Sequence, residues 1–450
     1  MLVVIKKNRT NLIFLSFVAL YVNFTFVFRF MPALQYLIYY GVMAGYVCLN
    51  INRVLQWLSY AGREKKLFVG SIFLWIIIFV NSILWPLLFG TYDFSYANVV
   101  VAVFRSGLGQ VFLLLLIDKR MQNGKLLDNY GIISAVSVVL YEVSTIFMIF
   151  IPGLKEIWHS IIGETAADYL KSQEANYATR YGLAGFSGFD KTIICSFVAN
   201  LLLVLICKKL GEKREVNIKE YVFVVLMLVG NTFYGRSGLM ITLACIMIVI
   251  VYLAVVYEKL GTLVKISVAL SLMYLLVAHF ESYNETLHRY YNWALIPITN
   301  FITKGKIGTD SSDAMFANMY FNPGLKTLFI GDGYYTDPVT GAYYCATDIG
   351  LMRPMLFYGV FNQIMGYLVC IFLIIGGSRL LSKGNKKLTA LAFFLFVFAL
   401  MLFEVKGETF YRIFGYVLAI YFASAKQKYE DFIYEQREDI SNHECVQGTY

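Results

Sequence analysis

The sequence predicts an all-α, polytopic membrane protein with about 12 transmembrane helices, and three observations carry that prediction. Of 450 residues, 59% are hydrophobic and only 15% charged, where a soluble chain carries about a quarter charged residues. Apolar stretches of about 17–25 residues follow one another, each long enough to cross a bilayer core of about 30 Å. The basic residues gather in short loops between those stretches, and alternate counting puts these loops on one side of a membrane.

The spans fall at roughly 11–28, 32–50, 67–89, 98–117, 130–152, 191–207, 220–234, 238–257, 265–280, 349–376, 388–404 and 410–425. The first has a basic flank and an apolar run without a small-residue cleavage site, so it reads as an uncleaved span. Those at 220–234 and 265–280 are short and read as tilted, extended into their flanks, or partly re-entrant. With the N-terminus inside, the cytoplasmic side receives 24 of the 38 Lys and Arg, in the N-terminus, loops 51–66, 118–129, 208–219, 258–265 and 377–387, and the tail. Topology and attraction to anionic lipid account for these runs, so the net charge of +9 requires no nucleic acid. The layout is one transmembrane domain over 1–425 and a cytoplasmic tail over 426–450, with both termini cytoplasmic. Seven scattered cysteines give no disulfide framework.

Two outer loops, about 153–190 and 281–348, are too long to be connectors and are expected to be functional. The larger mixes aromatic and polar residues and is expected to carry short helices on the membrane surface. Two readings stand for its aromatics, including Trp293: interfacial anchoring and a sugar-stacking surface.

Ionisable residues inside the spans sit in the outer halves or at the outer mouths: Arg105, Glu142, Arg236, Arg353, Glu404 and Arg412. Charges at membrane depth face a bundle interior or a wet cavity, so the cavity is expected to open outward. Arg105 and Glu142, on consecutive spans, are placed to pair. Arg180 lies in a glycine-rich approach to the sixth span and Arg236 in "GRSG". Arg353 precedes Pro354, which suits a first helical turn, and Arg289 stands beside His288. Converging arginines suit a polyanion, because the guanidinium fork binds phosphate bidentately and stays charged when desolvated. No phosphate loop, dinucleotide fingerprint, HExxH or Asp-x-Asp pair is present, and the four histidines form no ligand cluster, so neither a cofactor nor a metal is expected.

These elements resemble a family. "GRSGLMI", "RYGLAGFSGFDKTII" and "LFIGDGYY…TDIGLMRPMLFYGVF", in that order over about residues 11–425, resemble motifs of the Wzy-type bacterial polysaccharide repeat-unit polymerases, which are related to O-antigen ligases. Arg289 and Gly305 also match that family's arginine-to-glycine spacing in an outer loop. The resemblance implies a GT-C-like enzyme of the bacterial cytoplasmic (inner) membrane. It would join undecaprenyl-diphosphate-linked repeat units of O-antigen, capsule or exopolysaccharide without metal or nucleotide. A glycan donor and acceptor, both lipid-linked, membrane lipids, a chain-length regulator and a flippase are the implied partners. Arg180, Arg236, Arg289, Arg353 and Arg412 would hold diphosphate and glycan. His288 and Asp348 lead the candidates for general base, with Asp310, Asp313 and Asp332 behind them. The competing expectations are an O-antigen ligase and a flippase or other transporter.

Overall fold

The computed structural model describes residues 2–121, 125–164, 169–170, 172, 180–186, 189–257, 261, 285–306 and 308–447. Its helices are α1 (Leu2–Asn23), α2 (Pro32–Leu49), α3 (Ile51–Tyr60), α4 (Lys65–Leu88), α5 (Ser95–Arg120), α6 (Leu126–Phe150), α7 (Leu154–Ile161), α8 (Asp190–Gly211), α9 (Ile218–Tyr234) and α10 (Arg236–Tyr257). They continue with α11 (Glu285–Lys304), α12 (Asp310–Asn318), α13 (Leu325–Phe329), α14 (Arg353–Leu381), α15 (Lys386–Glu404) and α16 (Phe410–Gln447). A two-stranded hairpin, β1 (Tyr181–Gly182) and β2 (Gly185–Phe186), precedes α8. The protein is thus an all-α membrane-embedded chain.

Among the described residues seven helices are long and apolar enough to cross a membrane, or up to eight if the bent pair α2–α3 counts as one span. The spans expected at 11–28, 220–234 and 410–425 fall on α1, α9 and α16, and the span expected at 265–280 lies outside the described residues. α9 has only 17 residues, or about 26 Å of helix, short of a bilayer core. α2 contains a π-helical stretch at Leu37–Met43 and meets α3 at 61°. α16 runs unbroken past residue 425, so the expected last span and tail share one helix.

The bundle is organised around α8, whose side chains from Lys191 to Lys209 are buried without interruption. A helix apolar all round is buried by neighbours rather than by a single face, and α6, α9, α10, α15 and α16 pack on it. α14 lies between α4 and α16. α4, equally apolar, buries little of its surface and faces outward, as lipid contact permits.

Charge separates the two ends. At one end lie the junctions α5–α6, α8–α9 and α14–α15, where Lys209 bonds Glu220 at 2.6 Å and Arg214 lies 3.6 Å from Asp128. Lys426 pairs with Asp118 and Lys383 with Asp431 at the same end. The opposite end holds the starts of α5, α8, α10, α14 and α16, together with α11–α13.

Two expectations are corrected. Arg105 and Glu142 do not pair: Glu142 is buried on α6 against Gly230 of α9, where an added Cβ would collide with its carboxylate. The tenth span, expected from residue 349, begins instead at Arg353 of α14 with Met352 as its N-cap residue, so Asp348 stands in the segment before the helix.

Candidate functional site

A cavity of about 950 Å³ opens at the end of the bundle opposite the basic loops. Arg180, Arg236, Arg353 and Lys406 line it, with Asp190, Asp310, Asp348 and Glu408.

α8 positions two of the arginines from below. The Nζ of Lys191, in its first turn, donates to the carbonyls of Arg180 (2.9 Å) and Gly185 (2.6 Å), pinning the hairpin that follows Arg180. One residue on, the hydroxyl of Thr192 donates to Asn231 Oδ1 (2.6 Å) and reaches the carbonyl of Gly235 (3.2 Å). Asn231 in turn donates to Thr242 at 2.9 Å, closing a buried polar knot beneath Arg236. Buried hydroxyls and amides are stable only when so paired. "GRSG" is therefore a joint: α9 ends at Tyr234, α10 starts at Arg236, and a Cβ on Gly238 would fall on the Thr192 hydroxyl. Glycine is required there for space. Gly235 has an extended backbone, φ 175°, which any residue adopts.

Trp293 of α11 stands between two of these cations. Its ring centre lies 4.5 Å from the Arg236 guanidinium and 5.5 Å from that of Arg180, within cation–π range. Trp293 forms part of the cavity wall. Arg236 also donates to Ser311 of α12 at 3.1 Å.

Arg353 is held differently. Pro354 occupies the first turn of α14, as expected, and aims Arg353 into the cavity. Its guanidinium lies 3.8 Å from the ring centre of Tyr335 and 4.4 Å from that of Tyr343. Its Nη1 is 3.5 Å from the Oε2 of Glu408, which also accepts a short hydrogen bond from the Tyr335 hydroxyl. Burial pushes the Glu408 carboxyl above the usual range, while Arg353 and the Tyr335 hydroxyl work against that rise.

Lys406 and Glu408 sit on the short α15–α16 loop, which Glu404 shapes by accepting from Thr409 N (2.6 Å) and Phe410 N (2.7 Å). A carboxylate at the start of a helix satisfies otherwise orphaned N–H groups. Glu404, expected to belong to the cavity charges, is thus a structural cap. Lys406 lies in the field of the arginines. Burial, then the charges of Arg236 and Arg180, hold its pKa below the ordinary lysine value, with Asp348 opposing. That corner carries excess positive charge, which favours an anionic occupant.

Asp348 and Asp310 reach the cavity with exposed side chains. His288 does not line it: it is exposed on α11, within 3.0 Å of Asn292. Asp313 pairs with Lys306 at 3.0 Å on the surface, and Asp332 accepts from Thr327 at 2.8 Å, so both sit outside the cavity lining. Arg412 stands just behind it, bonded to Asp190 at 2.6 Å. The side chain of Arg289 lies outside the described residues. The sequence reading missed Lys406, Glu408, Tyr335 and Asp190. Among the described residues no group of three His, Cys, Asp or Glu is placed to hold a metal ion.

No protein-family model matches the chain, and no curated protein matches it.

Proposed function

We propose that the protein is a Wzy-type polysaccharide polymerase of a bacterial inner membrane, with about 12 spans, cytoplasmic termini and the cavity on the outer face. One observation carries the proposal: Arg180, Arg236, Arg353 and Lys406 converge in one cavity at the end of the bundle opposite the basic loops. The positive-inside rule assigns the loop end to the cytoplasm, so the cavity faces the leaflet where lipid-linked glycans are joined.

The donor is a glycan on undecaprenyl diphosphate and the acceptor a lipid-linked repeat unit. A terminal hydroxyl of the acceptor attacks the donor's anomeric carbon. The bond from that carbon to the diphosphate breaks, and its electron pair leaves with the lipid diphosphate. Fixed cations stabilise that developing charge. Asp348, exposed within the cavity, is the assigned general base for the hydroxyl proton. Glu408 acts through Arg353 by holding its guanidinium against Tyr335. Trp293 supplies an aromatic face both to the arginines and to a sugar ring. A chain-length regulator and a flippase are the expected partners.

Gene deletion tests the reading. Loss of long chains, with single lipid-linked repeats accumulating on the outer leaflet, is the expected result. Repeats confined to the inner leaflet would assign a flippase, and full-length lipid-linked chains that are never transferred would assign a ligase.

A further inference from the structure

Behind the main cavity lies a second, smaller chamber of about 30 Å³ that shares Ala102 and Tyr411 with it. Arg105, Arg412, Tyr39 and Tyr416 are among its walls. Three of its donors lack acceptors. The Nε of Arg412 and the hydroxyl of Tyr416 are buried without a hydrogen-bond partner. Arg105 makes neither a hydrogen bond nor an ion pair among the described residues, although it stands inside the apolar helix α5. Among the described residues no carboxylate lines this chamber, and Asp190 is bonded to Arg412. Glu142, expected to answer Arg105, packs against Gly230 instead. Tyr39 feels both guanidiniums, and its hydroxyl is already tied to Thr25 at 2.5 Å.

An uncompensated cation at membrane depth is costly, and a water molecule leaves its charge unbalanced. An oxyanion meets the charge and the empty donors together. The volume admits one water-sized group, hence a single phosphoryl oxygen whose parent phosphorus stays on the side of Ala102 and Tyr411, which the two spaces share. Helical side chains lean toward the N-terminus of their helix, and the N-terminal end of α5 is the cavity end. Arg105 therefore leans toward the main-cavity end of α5.

We infer that Arg105, Arg412 and the Tyr416 hydroxyl form a second phosphate subsite, which takes an oxygen of a lipid-borne phosphate or diphosphate. This rests on the polymerase reading, in which two lipid diphosphates meet in one protein. It deepens that reading by giving the second one its own cations, apart from the cluster at Arg180, Arg236 and Lys406.

The test is binding and melting of the full-length protein in phosphatidylcholine nanodiscs, with farnesyl diphosphate and inorganic diphosphate as probes. Arg105→Gln is expected to weaken farnesyl diphosphate binding about 10–100-fold, the range for losing a charged hydrogen-bond donor. Without ligand the same variant should melt at a higher temperature than wild type, because it removes an unbalanced charge. A purely structural arginine would give the opposite melting shift. Tyr416→Phe should lower affinity about 3–10-fold and keep the fold, which guards against a misfolded arginine variant. An equal loss with inorganic diphosphate would assign a site for the free anion as well, and a loss confined to farnesyl diphosphate would assign a lipid-anchored one. Wild-type binding of both probes by Arg105→Gln, or a lowered melting temperature without ligand, overturns the inference. Because binding is read without turnover, an intact subsite alongside a normal gene-deletion phenotype would sink the polymerase reading alone.

Discussion

Gly331 and Gly359 mark the crossing of two main chains. A Cβ on Gly331 would fall on the carbonyl of Phe357, and one on Gly359 on the carbonyl of Phe329. Both hold positive φ, 84° and 82°. Asp332 N donates to the Leu356 carbonyl at 2.7 Å and Gly333 N to that of Phe357 at 2.9 Å, so the loop after α13 docks into a break in α14. Gly359→Ala meets both a left-handed backbone and a collision. It should destabilise by more than about 2 kcal/mol, since the backbone term alone is about 1–2 kcal/mol. Gly384, with φ 88° and open space around it, is the control, and Gly384→Ala should cost only the backbone term. Thermal unfolding in detergent compares the two, and equal losses would mean that the crossing tolerates a methyl group.

Arg236→Lys keeps the charge and loses the fork that reaches Ser311 and the face of Trp293. Polymerisation should fall strongly, and Arg236→Ala should fall further, toward a factor of about 10²–10³, as for loss of a group that stabilises transition-state charge. Membrane levels of both proteins should stay near normal. Wild-type chain length from the lysine variant would remove Arg236 from the site.

Glu408→Gln leaves Arg353 without its carboxylate while retaining a hydrogen-bond acceptor for Tyr335. Activity should drop about 10–100-fold through lost orientation of the guanidinium. The loss should appear in turnover more than in donor affinity, with Tyr335→Phe milder than Glu408→Gln. An unchanged turnover number in Glu408→Gln would exclude the positioning role.

Lys406 gives the site a pH signature. Its pKa is lowered by burial and by Arg236 and Arg180, so it surrenders its proton at lower pH than a free lysine. The protonated form binds an anion. Its share of diphosphate affinity is therefore fully present below the lowered pKa and lost as pH rises through it. Isothermal titration with inorganic diphosphate across the alkaline range should show affinity declining before ordinary lysines titrate. Lys406→Arg should move that decline to higher pH, and an identical profile in the variant would place Lys406 outside the binding field.

The helices were legible because apolar length is written directly in composition. Convergence of Arg180, Arg236 and Arg353 was legible because Arg236 and Arg353 start their helices and Arg180 lies in the approach to the sixth span, all at the same end. The α15–α16 loop was not. "EVKGET" reads as an ordinary polar connector, yet Glu404 folds it back so that Lys406 and Glu408 enter the cavity. Its usable signal was density: two acids and a lysine in a turn too short to leave the membrane surface. His288 misled because one turn of helix decides which way a loop histidine faces. Asp332 misled because "GDG" carries an acid between two glycines whose work is to let main chains cross.

The separation of charge between the two ends also bears on how the chain enters the membrane. Translocation disfavours arginine, and the proposed orientation exports Arg180, Arg236, Arg353 and Lys406. In that orientation the basic loops that would stay behind outnumber them, with 24 of the 38 Lys and Arg. Insertion is decided by that majority, so removing one exported cation leaves the threading of the polypeptide unchanged. In the proposed orientation, arginine substitutions in the cavity are therefore expected to act on the site without inverting the protein.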